Sequence, residues 1–189
     1  WSVPFALTYN SQNWRQDSGG IWKFDGDVGF GFGWRLLAGS ITPVWNPGGI
    51  SAAYYLFMDS TGAEYRLDQN NSNVWTSLNS VYVSFDANSN TLYFPDGSSW
   101  YFGCISAATE ADSGVMHPTL IKDPAGNQIN IFYQGTNHPW GPFNRSARIA
   151  SIGDIRTATI QSNCVGGTCT SNTVYGTTYT FGYASVTGR

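Results

Sequence analysis

Residues 120–133 read LIKDPAGNQINIFY, and the order of residue types in this stretch decides the fold class. An apolar pair, Leu120 and Ile121, runs into a turn cluster of Asp123, Pro124, Gly126 and Asn127, after which alternation resumes at Ile129, Ile131 and Tyr133. This is the pattern of a β-hairpin. The Asp123 carboxylate can close an Asx-type turn and Pro124 presets φ, while Gly126 and Asn127 tolerate the positive φ of a tight reversal. Geometry therefore accounts for the carboxylate before any chemistry is invoked.

The same arrangement recurs upstream. In residues 56–67, LFMDSTGAEYRL, the reversal runs from Asp59 to Gly62; in residues 92–102, LYFPDGSSWYF, it uses Asp96 and Gly97. A fourth reversal, within residues 81–94, passes through Asp86, Asn88 and Asn90. The intervals between turns are irregular, so the repeat is degenerate and sets no strict solenoid period. The expectation is an all-β chain of antiparallel hairpins forming a curved sheet or a sandwich.

Composition agrees. Charged residues make up 11% of the 189 residues, well below the roughly 25% of an ordinary globular chain, while hydrophobic residues at 41% argue against disorder. A surface so poor in charge must be made of Ser, Thr, Asn, Gln and Gly, as in many extracellular β-proteins. No long window has the composition that favours helix. A net charge of −3 with scattered Lys and Arg gives no electrostatic footprint for nucleic acid. No apolar run approaches the roughly 20 residues of a spanning helix. The opening on Trp1 without Met, and the ending at Val186-Thr-Gly-Arg189 without a polar taper, lead to the expectation that the native chain continues.

Along the chain, residues 1–50 read as N-terminal strands and 51–189 as one continuous hairpin region, truncated at its C-terminus. Residues 3–9 alternate, with Phe5, Leu7 and Tyr9 on one face. Gly29, Gly31 and Gly33 alternate with Phe30, Phe32 and Trp34; their spacing does not fit a dinucleotide loop, and a glycine face against which a ring or backbone can lie flat explains them better. Residues 36–45 continue as strand to the turn at Asn46-Pro-Gly-Gly49, and residues 75–85 supply a further strand pair. Residues 107–111 could make one helical turn. The loop at 134–144 is followed by alternation over 148–155 and a last strand over 173–183.

Asp123-Pro-Ala-Gly126-Asn127 with Ile131 and Tyr133, then Ala147-Arg148-Ile149 and Ile152-Gly-Asp154, resembles the Rhs/YD-repeat pattern. Phe181-Gly-Tyr183-Ala-Ser-Val-Thr-Gly-Arg189 is similar to the same unit cut after its Gly-Arg. Gly31-Phe-Gly33-Trp34-Arg35, preceded by Leu7-Thr-Tyr9-Asn10-Ser11, looks like the segment before the repeats in such proteins. Ala147 and Ala184 depart from the family's usual Gly and Asp, and residues 164–172 look like an insertion. The resemblance implies a secreted or cell-surface protein whose hairpins wind into a shell or stalk. It carries no catalytic residue onto this chain.

His117 and His138 lie far apart, each beside a proline, and zinc needs three or four ligands at close spacing. Asp25 and Asp27, or Asp86, Asn88 and Asn90, offer alternating oxygens to calcium, but Asx residues in turns are expected anyway. Gly-x-Ser-x-Gly is absent. Glu64, Glu110, Asp112 and Asp154 are nominal glycosidase carboxylates, with nothing in the sequence to pair them. No cofactor or metal is expected. Cys164 and Cys169 bracket Val-Gly-Gly-Thr and either form a disulfide at a hairpin tip or remain two thiols; Cys104 reads as a small buried hydrophobe.

Of the eight tryptophans, Trp14, Trp22 and Trp140 are the candidates for stacking on sugar rings, the plainer explanation being core or contact packing. The expected function is non-enzymatic and architectural, with further parts of the same chain or further copies as partners. The competing expectation is a carbohydrate-binding or adhesion module with glycan partners.

Overall fold

The computed structural model describes residues 3–9, 14–16, 22–24, 34–78, 81–108, 110, 112–134, 148–154, 159–165, 168–174 and 176–183. Among these residues there is no helix. The strands are β1 (Ala6–Tyr9), β2 (Trp14–Gln16), β3 (Trp22–Phe24), β4 (Trp34–Leu37), β5 (Gly39–Trp45), β6 (Ala52–Asp59), β7 (Glu64–Leu67), β8 (Gln69–Asn71), β9 (Val74–Thr76), β10 (Ser84–Asp86), β11 (Thr91–Tyr93), β12 (Ser99–Tyr101), β13 (Cys104–Ile105), β14 (Met116–His117), β15 (Leu120–Lys122), β16 (Gln128–Tyr133), β17 (Ile149–Asp154), β18 (Thr159–Val165), β19 (Thr168–Val174) and β20 (Thr177–Thr180).

They form an antiparallel nine-stranded sheet in the order β20-β17-β16-β15-β12-β11-β10-β9-β8 and a five-stranded sheet in the order β13-β14-β5-β6-β7. The pairs β1–β4, β2–β3 and β18–β19 stand as separate ribbons. The chain is all-β and built from antiparallel hairpins.

Register explains where the core sits. Trp75, Phe85, Leu92, Trp100, Ile121 and Ile129 are successive cross-strand partners on six neighbouring strands, so all six share one face of the large sheet. That face meets Ile41, Phe57, Leu67 and Met116 of the smaller sheet in one buried cluster. Trp100 also joins a second cluster of Ala38, Ile121, Ile131, Ile149 and Ile152, over which Val3 and Phe5 pack. Edge-on rings tie the two sheets together, Tyr55 against Phe85 at 5.0 Å and Phe57 against Trp100 at 6.0 Å between centroids.

Several expectations change. Residues 36–45 do not run as one strand: β4 pairs with β1, the chain bends at buried Ala38, and β5 enters the five-stranded sheet. The division at residue 50 falls at the tip of the β5–β6 hairpin, whose turn is closed by Asn46 N–H to Ser51 C=O at 3.0 Å. Residues 39–45 thus belong to the sheet that follows them. Of the residues 107–111, those described (107, 108 and 110) are not helical, and Ser106 N–H to Val115 C=O at 2.9 Å fastens the connection from β13 to β14.

The strand pair expected over 75–85 is shorter, with β9 ending at Thr76 and β10 beginning at Ser84. Val83 and Phe85 are nevertheless buried, and Tyr82 points outward. The β8–β9 hairpin was not foreseen. Its two-residue loop, Ser72-Asn73, has φ of 52° and 65°, the positive values that a type I′ turn requires at both positions. The cluster Asn70-Asn71-Ser72-Asn73 was the available signal.

Candidate functional site

The three turns at Asp59, Asp96 and Asp123 share one backbone. In each, the first residue's N–H donates to the fifth residue's C=O, and the fourth residue, a glycine, donates its N–H back to the first. The paired distances are 3.0 and 3.1 Å for Asp59 with Ala63 and Gly62, 3.0 and 3.0 Å for Phe94 with Ser98 and Gly97, and 3.0 and 3.0 Å for Asp123 with Asn127 and Gly126. The glycines have φ of 85°, 85° and 87°. This is a three-residue hairpin loop, a type I turn followed by a left-handed glycine.

The carboxylate occupies two different frames on this backbone. At the first position, Asp59 Oδ1 accepts from the N–H groups of Thr61 (2.8 Å) and Ala63 (3.2 Å), and its Oδ2 accepts from the Tyr65 hydroxyl at 3.2 Å. Asp123, in the same frame, accepts from the Asn127 N–H at 2.8 Å and the Asn127 side-chain amide at 2.6 Å. At the third position, Asp96 instead accepts from the Ser98 N–H at 2.9 Å and the Ser98 hydroxyl at 2.6 Å. Asn127 does not take a positive φ, contrary to expectation; its side chain locks the carboxylate instead.

These bonds shift the titration of two of the acids. Asp123 is held below the ordinary carboxylate range first by the Asn127 side chain, and Asp96 by the Ser98 hydroxyl and N–H. Asp86 is lowered too, first by the Asn88 N–H and then by the Ser89 hydroxyl. The Asp86–Asn90 stretch offered to calcium is thus engaged internally: Asn88 donates its N–H to Asp86 Oδ1 at 2.9 Å, and the Asn73 amide donates to Asn88 Oδ1 at 3.0 Å. Asp25 and Asp27 lie outside the described residues. Among the described residues, no group of three His, Cys, Asp or Glu side chains could hold a metal ion.

One polar cluster was not legible in the sequence. His117 is not in a loop but on β14, fully buried, with Ser106 Oγ 3.3 Å and Asp112 Oδ2 3.5 Å from its Nε2. Serine, histidine and aspartate thus meet in the interior. A nucleophile triad places serine on one ring nitrogen and carboxylate on the other; here both face Nε2. Serine and carboxylate thus crowd the same ring nitrogen, and among the described residues no carboxylate orients the ring from Nδ1. Among the described residues, His117 Nδ1 has no hydrogen-bond partner.

Cys104 is the cross-strand partner of His117. Burial, then the charges of Glu110 and Asp112, push its thiol up to about 11; it is half-buried and stays protonated near neutrality. Glu110 and Asp112 share the turn-rich loop between β13 and β14, where the Asp112 carboxylate is wholly buried. Glu64 lies on β7 and Asp154 on β17. His138 lies outside the described residues.

Trp14, Trp22 and Trp140 are the candidates for sugar stacking. Trp14 and Trp22 lie on the two strands of the β2–β3 ribbon, with their side chains outside the description, as is Trp140. Trp75 is buried in the core and Trp34 and Trp45 are each 41% exposed. Two exposed tyrosines, Tyr93 on β11 and Tyr101 on β12, lie on the outward face of the large sheet, 47% and 44% exposed. Cys164 and Cys169 are direct cross-strand partners in β18–β19, one step from the pair Val165 and Thr168 that flanks the loop.

No helix of the described residues is long and apolar enough to cross a membrane. No family model, curated protein or solved structure matches this chain.

Proposed function

We propose that the chain is a non-enzymatic structural segment of a secreted or cell-surface protein of the Rhs/YD-repeat kind, contributing hairpins to a shell or fibre. The observation that carries this reading is the threefold recurrence of one turn backbone with its acid spent on backbone N–H groups. Side chains fixed in this way hold reversals in place and leave few groups for turnover. The large sheet ends in β8 and β20, whose exposed residues carry polar side chains and tyrosine rather than charge. Natural sheet edges without charge or cover invite further pairing; in this reading they meet neighbouring hairpins of the same longer chain or of further copies. Opposed Cys164 and Cys169 are in keeping with an oxidising compartment.

Sedimentation velocity over a wide concentration range tests the self-assembly arm. Association that grows with concentration supports it, and is expected to weaken when Asn70 and Thr178 at the two edges are replaced by Lys. A compact monomer at the highest concentration refutes assembly between copies.

Tyr93 and Tyr101 favour a second reading, a carbohydrate-binding or adhesion surface, since exposed rings beside Thr91 and Ser99 hydroxyls suit a sugar face. A glycan array separates the two: binding that disappears in Tyr93→Ala/Tyr101→Ala, with the fold intact, favours the second.

A further inference from the structure

We propose that the tip of the β5–β6 hairpin makes a peripheral contact with a lipid bilayer, setting Trp45 and Ile50 into its interfacial zone. Ile50 is the most exposed large hydrophobic among the described residues, at 95%, and Trp45 at the neck of the turn is 41% exposed. Pro47, between them in sequence, is exposed as well. No Asp, Glu, Lys, Arg or His occurs from Leu36 to Met58. Up to Asp59, therefore, the hairpin carries no formal charge of its own.

The ladder explains why the tip stands clear. Among the described strands, β14 pairs with β5 only at Ile41, and β7 pairs with β6 only from Tyr55 to Met58. Past Tyr55 the hairpin continues as a two-stranded ribbon, Val44 opposite Tyr54 and Trp45 opposite Ala52. Three residues of strand carry the turn roughly 10 Å beyond the last rung shared with β7. Gly48 and Gly49, with φ of 99° and 70°, reverse the chain there. Asn46 N–H donates to Ser51 C=O at 3.0 Å, Gly49 N–H to Asn46 C=O at 2.9 Å, and the Asn46 side-chain amide to the Ser51 hydroxyl at 3.1 Å. Pro47 has no N–H to satisfy. Polar groups spent inside the turn in this way cost less to take out of water.

Shape and charge select the occupant. A stable protein interface takes about 800 Å² from each partner, more than a convex tip of one isoleucine, one indole and one proline offers. A bilayer accepts such a tip without a matching pocket: tryptophan settles at the level of the headgroups, and an apolar side chain beyond it reaches the acyl boundary. Arg66, stacked over the Tyr54 ring at 4.0 Å, is paired with Asp68 at 3.3 Å, so the two together add no net charge beside the ribbon. The chain's net charge of −3 gives anionic lipid no advantage. The contact is weak and reversible, below the roughly 10⁴ M⁻¹ of a single myristoyl chain.

The test is methyl NMR of the whole chain with small phosphatidylcholine vesicles that carry a nitroxide on the upper acyl chain. The Ile50 methyls are expected to broaden first. Ile105 and Ile160, exposed by 53% and 75% elsewhere on the chain, serve as controls and should stay sharp at the same lipid concentration. Ile50→Asp, at a position too exposed to threaten the fold, is expected to lower vesicle partition about tenfold, and Ile50→Trp to retain it. Equal broadening of all three isoleucines, or unchanged partition of Ile50→Asp, overturns the proposal. So does binding that needs phosphatidylserine and disappears in salt, which would mark attraction by charge rather than by the tip. Ile50 methyls that stay sharp at every lipid concentration also overturn it and leave the tip to a protein partner.

Discussion

Replacing Gly39 by alanine places a methyl group against a side chain of the other sheet. Gly39 is buried on β5, opposite Asp59 of the first hairpin turn. A Cβ there would lie 2.8 Å from Cζ3 of Trp100, on the other sheet, and 2.9 Å from the Met58 carbonyl oxygen. Carbon atoms in comfortable contact sit about 3.5–4.0 Å apart, so either the indole moves by roughly 0.7 Å or the strand does. The indole is pinned between Phe57 and Phe94, at 6.0 and 5.0 Å between centroids, and the Met58 carbonyl is held in the ladder. Overpacking of this kind costs about 1–3 kcal/mol, of which about 0.4–1 kcal/mol is offset by the stiffer unfolded chain. A net loss of about 1–2 kcal/mol lowers Tm by roughly 2–8 °C in a chain of this size. Calorimetry of Gly39→Ala, beside Gly182→Ala, whose Cβ would meet nothing within 4 Å, reads the difference. Adding Trp100→Leu should make the Gly39→Ala increment smaller, a coupling that a double-mutant cycle measures. A Gly39→Ala protein as stable as the Gly182→Ala control would refute the close approach of the sheets.

Gly97→Ala and Gly126→Ala have room for the methyl, with nothing nearer than 3.5 Å, but force alanine to φ of 85° and 87°; each should cost about 1–2 kcal/mol, read from urea midpoints. Asp86, Asp96 and Asp123 titrate below the ordinary range in the folded chain, so the unfolded chain binds protons first. Their contribution is complete above the unfolded value of about 3.9 and is lost as pH falls through the lower folded values. Urea midpoints should therefore drop as pH falls below about 4, with a shallower drop in the triple Asp→Asn variant; a midpoint that rises on acidification contradicts the sign. The opposed Cys164 and Cys169 should form a disulfide when the protein is made under oxidising conditions. Mass spectrometry after alkylation should find Cys104 slow to react at pH 8, its thiol standing at about 11, and the other two blocked; free reactive thiols at 164 and 169 exclude the bridge.

Local rules carried the fold class because the hairpins are local. Alternation and turn chemistry over five residues suffice to place Asp59, Asp96 and Asp123 at reversals, since the partner N–H groups lie two to four residues away. What depends on distant partners was hidden. Gly39 lies in a segment read simply as strand, and only the other sheet's Trp100 reveals why a side chain is excluded there. The meeting of Ser106, Asp112 and His117 requires a loop to fold back over β14, and no periodicity reports that. Asp154 was read as ending a strand; it does, but its inward orientation follows from a register set six strands away at Trp75. Exposure of the β1 pair Leu7 and Tyr9 was equally illegible, because alternation names two faces without saying which one is covered.

The central claim is that the acidic side chains of the turns serve the backbone. Carbon-detected NMR titration of the aspartate carboxyls measures this directly. Asp86, Asp96 and Asp123 should each titrate below the ordinary carboxylate value, with the amide signals of Asn88, Ser98 and Asn127 moving in step as their acceptors are protonated. Carboxyls that titrate at or above that value, or amides that stay still while they do, would contradict it.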